Sequence, residues 1–417
     1  MNPRLFYFNS DNDLAVANKS PYYMPPARIV KMKQDLAVLP VYFARKNDIV
    51  AVEALPDDRF TASLSQVLDY QVDYRTLADI EATELPKLTF LHPWGWSPSS
   101  HLALAPLKPY CDETFQSHPV AQWSDAHYEI YGKGVVVDVL PRILERLAPY
   151  QINFIPQRCA SIEEIEQEAA LRSIVVKAPW SGAGKGVRFM HRELTRFERE
   201  WSKGVLKQQG FVTVATLVEK VHDFAMQFYI HPDGAIEYLG ISLFFTNEHG
   251  AYVGNHVMSQ PELYTALKSY LDDTVRSETF DEEFATIRDT YLSILPELIG
   301  RNYCGYFGID MMLIRDADKS IRIHPMVEIN LRCNMGILSS EVYNRIVHPA
   351  AKGRMIIDHA PSAEALRTKL DELKLKYPMV IHEGKVQSGF FALTPVCSDS
   401  LYCAYLILDN TGALQES

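Results

Sequence analysis

Three stretches of the chain carry the residue types best suited to chemistry. The first, residues 173–187, reads SIVVKAPWSGAGKGV. Its β-branched run Ile174-Val175-Val176 favours a buried strand. Lys177 follows, and then a loop of Ser181, Gly182, Ala183, Gly184, Lys185 and Gly186, whose small side chains leave the backbone N–H groups unobstructed. Such a backbone wraps closely around phosphate oxygens, and Lys177 and Lys185 add positive charge at either end. The loop is not a P-loop: Pro179 stands where the first glycine is needed, and Gly186 where Ser or Thr must follow the lysine. The run Val187-Arg188-Phe189-Met190 reads as a second strand, so the loop is expected to connect a hairpin. A ligand-free glycine-rich hairpin has the same pattern.

The second stretch, residues 304–332, reads CGYFGIDMMLIRDADKSIRIHPMVEINLR. Residues 315–320 have turn chemistry between two β-rich runs. In the second run Ile321, Ile323, Pro325, Val327 and Ile329 fall on one face, and Arg322, His324, Met326, Glu328, Asn330 and Arg332 on the other. The turn centre sets Asp310 nearly across from Glu328. Asp310, Glu328 and Asn330 then bring two carboxylates and an amide oxygen together, a donor set that suits Mg²⁺ with substrate phosphates. A half-exposed sheet face with one surface salt bridge fits the same alternation.

The third stretch, residues 216–223, reads TLVEKVHD. An apolar strand ends there in a polar cluster. The backbone at Lys220 and Val221 can hydrogen-bond the edge of an adenine ring, with Glu219 on the exocyclic amine and Asp223 on ribose hydroxyls. An edge strand running into a turn is the plainer account of these residues taken alone.

The elements needed to position these groups follow from periodicity and breakers. Strands are expected at 5–8, 49–52 and 88–91, with a helix over 27–44 entered through Pro25-Pro26. Strand, helix, strand suggests an α/β layer, whose ligands bind in loops after the strand ends. Further helices are expected at 134–147, 161–171, 191–206, 261–271, 282–299 and 363–377. Ser161 and Glu164 form a capping-box pattern. Strands are expected at 213–221, 224–230 and 236–245, and again within 380–408. The loops at 9–13, 22–23 and 92–96 have polar and aromatic side chains that suit a small polar substrate; turn chemistry and tryptophan packing explain them equally well. His256 reads as a surface or structural histidine.

The 417 residues are enough for roughly two to four domains. A hydrophobic content of 47% and a charged content of 22% are those of a soluble globular protein. The net charge of −11 argues against a nucleic-acid or anionic-membrane binder, though not against a local basic pocket. The six cysteines form no CxxC and no zinc spacing, which suits free thiols in a reducing cytoplasm. No stretch has the pattern of a signal peptide or a membrane span.

In their order the three motifs, VVKAPWSGAGKGV, LVEKVHD and GIDMMLIRD…VEINLR, resemble those of the ATP-grasp superfamily over about residues 120–345. The resemblance implies an α/β (α+β) fold: an N-terminal pre-ATP-grasp domain at 1–120, two subdomains clasping ATP at 121–212 and 213–350, and a C-terminal extension at 351–417. It implies that Lys177 contacts the phosphates, that residues 181–186 form a lid, and that Glu219, Lys220, Val221 and Asp223 hold the nucleoside. Asp310, Glu328 and Asn330 would hold one or two Mg²⁺ ions, with Mn²⁺ as an alternative. Arg332 would stabilise charge on the transferred phosphoryl or the acyl intermediate. The earlier nucleotide lysine of the family is matched to Lys133, in Tyr131-Gly-Lys-Gly134. The implied activity is an ADP-forming ligase that joins a small-molecule carboxylate to an amine or thiol. A phosphotransferase acting on a hydroxyl and a non-enzymatic nucleotide-binding protein are the alternatives. A cytoplasmic enzyme without nucleic-acid or membrane partners is expected, with a homodimer left open.

Overall fold

Four short parallel strands open the chain: β1 (Leu5–Tyr7), β2 (Ile49–Val52), β3 (Asp73–Thr76) and β4 (Leu91–Pro93), in the order β3-β2-β1-β4. The computed structural model describes residues 2–82, 85–147, 155–181, 186–246, 252–271 and 279–409. Within it the chain forms two compact units. Met1–Gln122, Ile241–Tyr264 and Arg332–Ser417 make one, and Trp123–Gly240 and Thr265–Leu331 the other. The fold is α/β as the sequence indicates, with one parallel sheet and extensive antiparallel pairing.

β1 and β2 are wholly buried, as apolar strands of a sheet covered on both faces should be. The chain leaves β1 for β2 on one side and returns to β4 on the other, so the strand order reverses beside β1. The helix expected over 27–44 is shorter. It spans Ala27–Asp35 and gives way to a 3₁₀ turn at Leu39–Tyr42. Pro40 lacks the N–H that would continue the helix, and its ring would meet the carbonyl of residue 36.

In the second unit, β5 (Gln157–Cys159), β6 (Ile174–Lys177), β7 (Val187–Met190) and β8 (Val212–Thr216) form an antiparallel sheet ordered β5-β8-β6-β7. Ile174 and Val176 point into a core with Met190, Val212 and Val214, closed by Ile165 and Ala169 of the helix Ile162–Leu171 and Val205 of the helix Arg196–Gln209. The capping box at Ser161 is half formed. The Ser161 hydroxyl accepts from the Glu164 N–H, but the Glu164 carboxylate takes the Ala160 N–H at 2.6 Å instead of closing the box. The helix expected from residue 191 begins at Arg196, where Thr195 and Glu198 form a complete box.

The following strands are β9 (Glu219–Ile230), β10 (Ile236–Thr246), β11 (Tyr252–Val257), β12 (Gly305–Arg315) and β13 (Ile321–Asn330). The order β13-β12-β9-β10 belongs to the second unit up to Gly240. The break expected near residues 222–223 falls earlier, at Leu217 and Val218. β9 is unbroken from Glu219 because β12 pairs along its whole length, from Arg315 opposite Glu219 to Gly305 opposite Ile230. The later half of β10 pairs with β11 in the first unit, Phe244 opposite Asn255.

The tail adds β14 (Gly353–His359), β15 (Val380–His382), β16 (Lys385–Ala392) and β17 (Tyr402–Leu408), ordered β11-β14-β17-β16-β15. Leu366 and Leu370 of the helix Ala363–Lys376 pack on Phe390, Cys403, Tyr405 and Ile407. Among the described residues no helix is long and apolar enough to cross a membrane.

Candidate functional site

The β12–β13 hairpin sets Asp310 directly opposite Glu328 and Gly308 opposite Asn330. The Asn330 amide donates to Asp310 Oδ2 at 3.0 Å. The alternation from the turn to Glu328 is preserved across an irregularity. Between the pairs Met312–His324 and Asp310–Glu328, β12 spends one residue and β13 three. Two extra residues return the strand to the same face; a single one would have swung Glu328 to the other.

Glu328 is held by Lys133, whose Nζ donates to Oε1 at 2.7 Å and to Oε2 at 2.6 Å. The side chains are 11% and 22% exposed, so the pair is largely withdrawn from water. Lys133 sits just before the helix Val135–Arg146, and its N–H donates to the Pro179 carbonyl at 2.8 Å. The turn carrying Lys133 is thereby tied to the start of the glycine loop.

Lys177, at the end of β6, reaches across to β13 and donates to the Val327 carbonyl at 3.2 Å. That carbonyl lies within the irregular part of β13. Burial pushes the Lys177 pKa below its ordinary value; Glu328 pulls it back, Lys133 pushes it further down, and Asp310 and Asp223 pull it up. Lys133, Lys177, Asp223, Asp310, Glu328 and Asn330 therefore share one neighbourhood within the second unit. His324 joins it. Burial first, then the charge of Lys177, pushes its imidazole down to about 4, so the ring is neutral at physiological pH. His324 was not picked out from sequence. Its signal was a titratable residue on the same strand face as Glu328, two positions beyond Arg322.

β6 and β7 form the expected hairpin, Lys177 opposite Val187. Gly182, Ala183, Gly184 and Lys185 lie outside the described residues, and Ser181 and Gly186 bracket them. The Ala178 N–H donates to the Gly186 carbonyl at 2.8 Å. A Cβ at Gly186 would lie 2.0 Å from Ser181 Oγ, so the hairpin base closes only around glycine. Trp180 is a buried anchor: its indole N–H donates to the Tyr128 carbonyl at 3.0 Å, and its ring stacks on Tyr128 at 4.0 Å. Gln209 accepts the Trp180 N–H at 3.0 Å and donates to its carbonyl at 3.1 Å.

The third motif divides. Asp223 takes the Lys220 ammonium at 2.5 Å. The register steps from Leu313–His222 to Ile314–Lys220, so Val221 is the extra residue of a bulge, a position where backbone groups are re-aimed. Glu219 stands at the start of β9, largely exposed, 3.4 Å from Arg315. Arg332 belongs to the first unit, where its Nε donates to Asp13 Oδ1 at 2.9 Å. That pairing joins two sequence features singled out separately, the loop at 9–13 and the end of the Glu-x-Asn-x-Arg run.

Two carboxylates and an amide on one patch, with lysines beside them, fit a hard divalent cation accompanied by phosphate oxygens. The Lys133 ammonium neutralises Glu328.

No protein-family profile matches the sequence, and a search of curated proteins gives no match. Among solved structures the chain is similar to the biotin carboxylase of Campylobacter jejuni, in a complex with β,γ-ATP. The TM-score is 0.49 and the identity 10%, covering 98% of this chain and 88% of that one. It is similar to N5-carboxyaminoimidazole synthetase of Staphylococcus aureus, complexed with ADP, with a TM-score of 0.44 and 9% identity, covering 98% and 94%. It is also similar to the biotin carboxylase domain of Hydrogenobacter thermophilus 2-oxoglutarate carboxylase, with a TM-score of 0.48 and 12% identity, covering 98% and 87%.

Proposed function

We propose that the chain is an ATP-grasp enzyme, a Mg-ATP-dependent, ADP-forming ligase that activates a small-molecule carboxylate for attack by an amine or thiol. The observation that carries this reading is the assembly of Lys133, Lys177, Asp310, Glu328 and Asn330 from four separate elements onto one patch. Asp310, Glu328 and Asn330 would hold Mg²⁺, which when bound neutralises charge on the phosphate oxygens. In the reaction, an oxygen of the substrate carboxylate attacks the γ-phosphorus of ATP, the β–γ bridge breaks toward ADP, and an acyl phosphate forms. The amine or thiol then attacks the acyl carbon and displaces phosphate.

The roles of the chain's own residues follow from their surroundings. Lys177, partly buried at the end of β6, would act on phosphoryl oxygens with a charge weakly screened by water. Lys133, beside Glu328, would donate to a phosphate oxygen. The backbone at Val221 and the carboxylates of Glu219 and Asp223 would receive adenine and ribose. The loop at 181–186 would cover the acyl phosphate, which water would otherwise destroy. Arg332 would stabilise the developing oxyanion.

The test is calorimetry of the full chain with Mg-ATP, followed by ADP release against a panel of carboxylates with and without amines. Hydroxylamine trapping of an acyl phosphate supports the ligase. A phosphorylated hydroxyl product instead assigns a phosphotransferase. Absence of nucleotide binding ends the proposal, and binding unaffected by Asp310→Asn with Glu328→Gln removes the metal assignment.

A further inference from the structure

The tail carries a second group of metal-type side chains, outside the three motifs. His348 lies in the loop after the helix Met335–Ile346, and His382 and Glu383 stand at the turn between β15 and β16. One donor atom from each, two imidazole nitrogens and a carboxylate oxygen, lies within 4.8 Å of the other two. The two rings meet edge to face, their centroids 5.2 Å apart at an interplanar angle of 73°. All three residues belong to the first unit, whereas Asp310, Glu328 and Asn330 belong to the second.

Strand pairing brings them together. Val386 of β16 is bridged by Val347 on one edge and pairs with Ile381 of β15 on the other. Residues in line across a sheet share a face, so the next residues, His348 and His382, share the opposite one. The loop is fixed there. The His348 N–H donates to the Val386 carbonyl at 2.9 Å, the Ala351 N–H to the His348 carbonyl at 2.8 Å, and the Tyr343 hydroxyl to the Pro349 carbonyl at 2.8 Å. Glu383 and Gly384 are the two central residues of the hairpin turn, with φ of 50° and 71°. Asn, Asp or Gly usually takes the first such position. Here a glutamate takes it, and its carboxylate comes back to the imidazoles. Lys385, two positions on, donates its ammonium to the Arg345 carbonyl.

The donor set selects the ion. Two imidazoles and one carboxylate suit Zn²⁺ over Mg²⁺, and three protein ligands leave a fourth position to water. Tetrahedral zinc holds neighbouring ligand atoms about 3.3 Å apart, so the donors must draw in by at most about 1.5 Å. His382 and Glu383 are exposed and His348 half-buried, so side-chain rotation can supply that movement. His348 Nδ1 accepts the Ala350 N–H at 3.2 Å. An ion must take that lone pair, or take Nε2 and leave the ring proton on Nδ1; either way this long bond is given up.

We propose that His348, His382 and Glu383 bind one Zn²⁺, which pins the β15–β16 hairpin to the loop after the helix Met335–Ile346. Binding of the ion stabilises the folded tail, because the unfolded chain does not hold these groups together. The site is independent of the ligase reading.

The experiment uses the full chain, stripped with EDTA and dialysed into buffer with millimolar Mg²⁺. Zn²⁺ is titrated by calorimetry, and thermal unfolding and amide hydrogen exchange are followed with and without it. One equivalent is expected to bind, to raise Tm, and to slow exchange at both 347–351 and 380–388. His348→Ala, His382→Ala and Glu383→Gln alter exposed or half-buried side chains, so their zinc-free Tm should stay close to the parent's. Each is expected to weaken Zn²⁺ about tenfold or more, since even an outer-shell partner of a metal site is worth that much. Asp310→Asn with Glu328→Gln is expected to leave this binding intact, which keeps the test apart from the nucleotide site. Absence of a bound equivalent, parent-like affinity in any of the three single variants, loss of binding in the Asp310 and Glu328 double variant, or protection confined to one of the two segments each overturn the site.

Discussion

Lys133 holds both oxygens of Glu328, at 2.7 and 2.6 Å, across 195 positions of sequence. A lysine matched to the nucleotide and a carboxylate matched to the metal therefore satisfy one another within the protein. Each side chain neutralises the other in a largely desolvated setting. Lys133→Met leaves the largely buried Glu328 without its ion-pair partner, with only the charge of Lys177 nearby. The expected cost is about 2 kcal/mol, between the values for exposed and for fully buried pairs. Millimolar Mg²⁺ should return more of that stability to the variant than it adds to the parent chain in urea unfolding. A variant indifferent to Mg²⁺ would remove Glu328 from the metal site.

The register that makes this pair was readable in advance because turn chemistry and alternation both constrain it. Asp316, Ala317, Asp318, Lys319 and Ser320 form the turn, with Lys319 at φ 66°, and Asp310 falls opposite Glu328 as the turn centre requires. The irregularity at Pro325–Val327 was not readable, since no local signal distinguishes two extra residues from none. It nonetheless presents the carbonyl that Lys177 uses. The anchoring of Trp180 on Tyr128 and Gln209 also escaped the sequence, because it depends on partners 52 and 29 positions away. The break between β8 and β9 was misplaced for a related reason. Pairing with β12 carries β9 through the polar residues Lys220, His222 and Asp223, overriding their weak strand preference. Arg332 was singled out by alternation, while its partner Asp13, 319 positions away, was not legible as such.

Lys177 predicts a pH dependence. Burial lowers its folded-state pKa below the ordinary lysine value of 10.5, so the folded state binds fewer protons there than the unfolded state. The penalty for burying the charge is fully present below the folded pKa and fades as pH rises from it toward 10.5. Stability of the parent chain relative to Lys177→Met should therefore increase across that alkaline interval. Denaturant unfolding of both proteins at a series of pH values checks it; a flat difference, or one that falls with pH, contradicts the burial of a charged lysine.

The hairpin base gives a sterically defined test. A Cβ at Gly186 would stand 2.0 Å from Ser181 Oγ and 2.3 Å from Ser181 Cβ. Gly186→Ala should force the two ends of the loop apart and weaken Mg-ATP binding about tenfold or more, as the loss of one charge-assisted hydrogen bond would. Adding Ser181→Ala should not restore affinity, because its Cβ still collides. Adding Ser181→Gly removes both close atoms and should restore most of it, leaving only Ala178 Cβ at 3.2 Å. Equal affinity of the two double variants would show that something other than this contact governs the loop.

The Arg332–Asp13 pair separates structure from chemistry. At 23% and 33% side-chain exposure the pair is partly solvated, so breaking it should cost no more than about 1 kcal/mol of folding stability. If Arg332 stabilises an oxyanion, its loss appears in turnover instead. Arg332→Ala should lower carboxylate-dependent ADP release by about a hundredfold or more, the scale of one deleted oxyanion donor, while Mg-ATP affinity stays within about twofold. Asp13→Asn keeps the guanidinium but loosens its orientation, so it should show a smaller loss of kcat at unchanged ATP affinity. The checks are steady-state kinetics, Mg-ATP calorimetry and urea unfolding on the three proteins. A parallel fall in nucleotide affinity would make Arg332 a nucleotide ligand, and unchanged turnover would reduce the pair to a structural contact within the first unit.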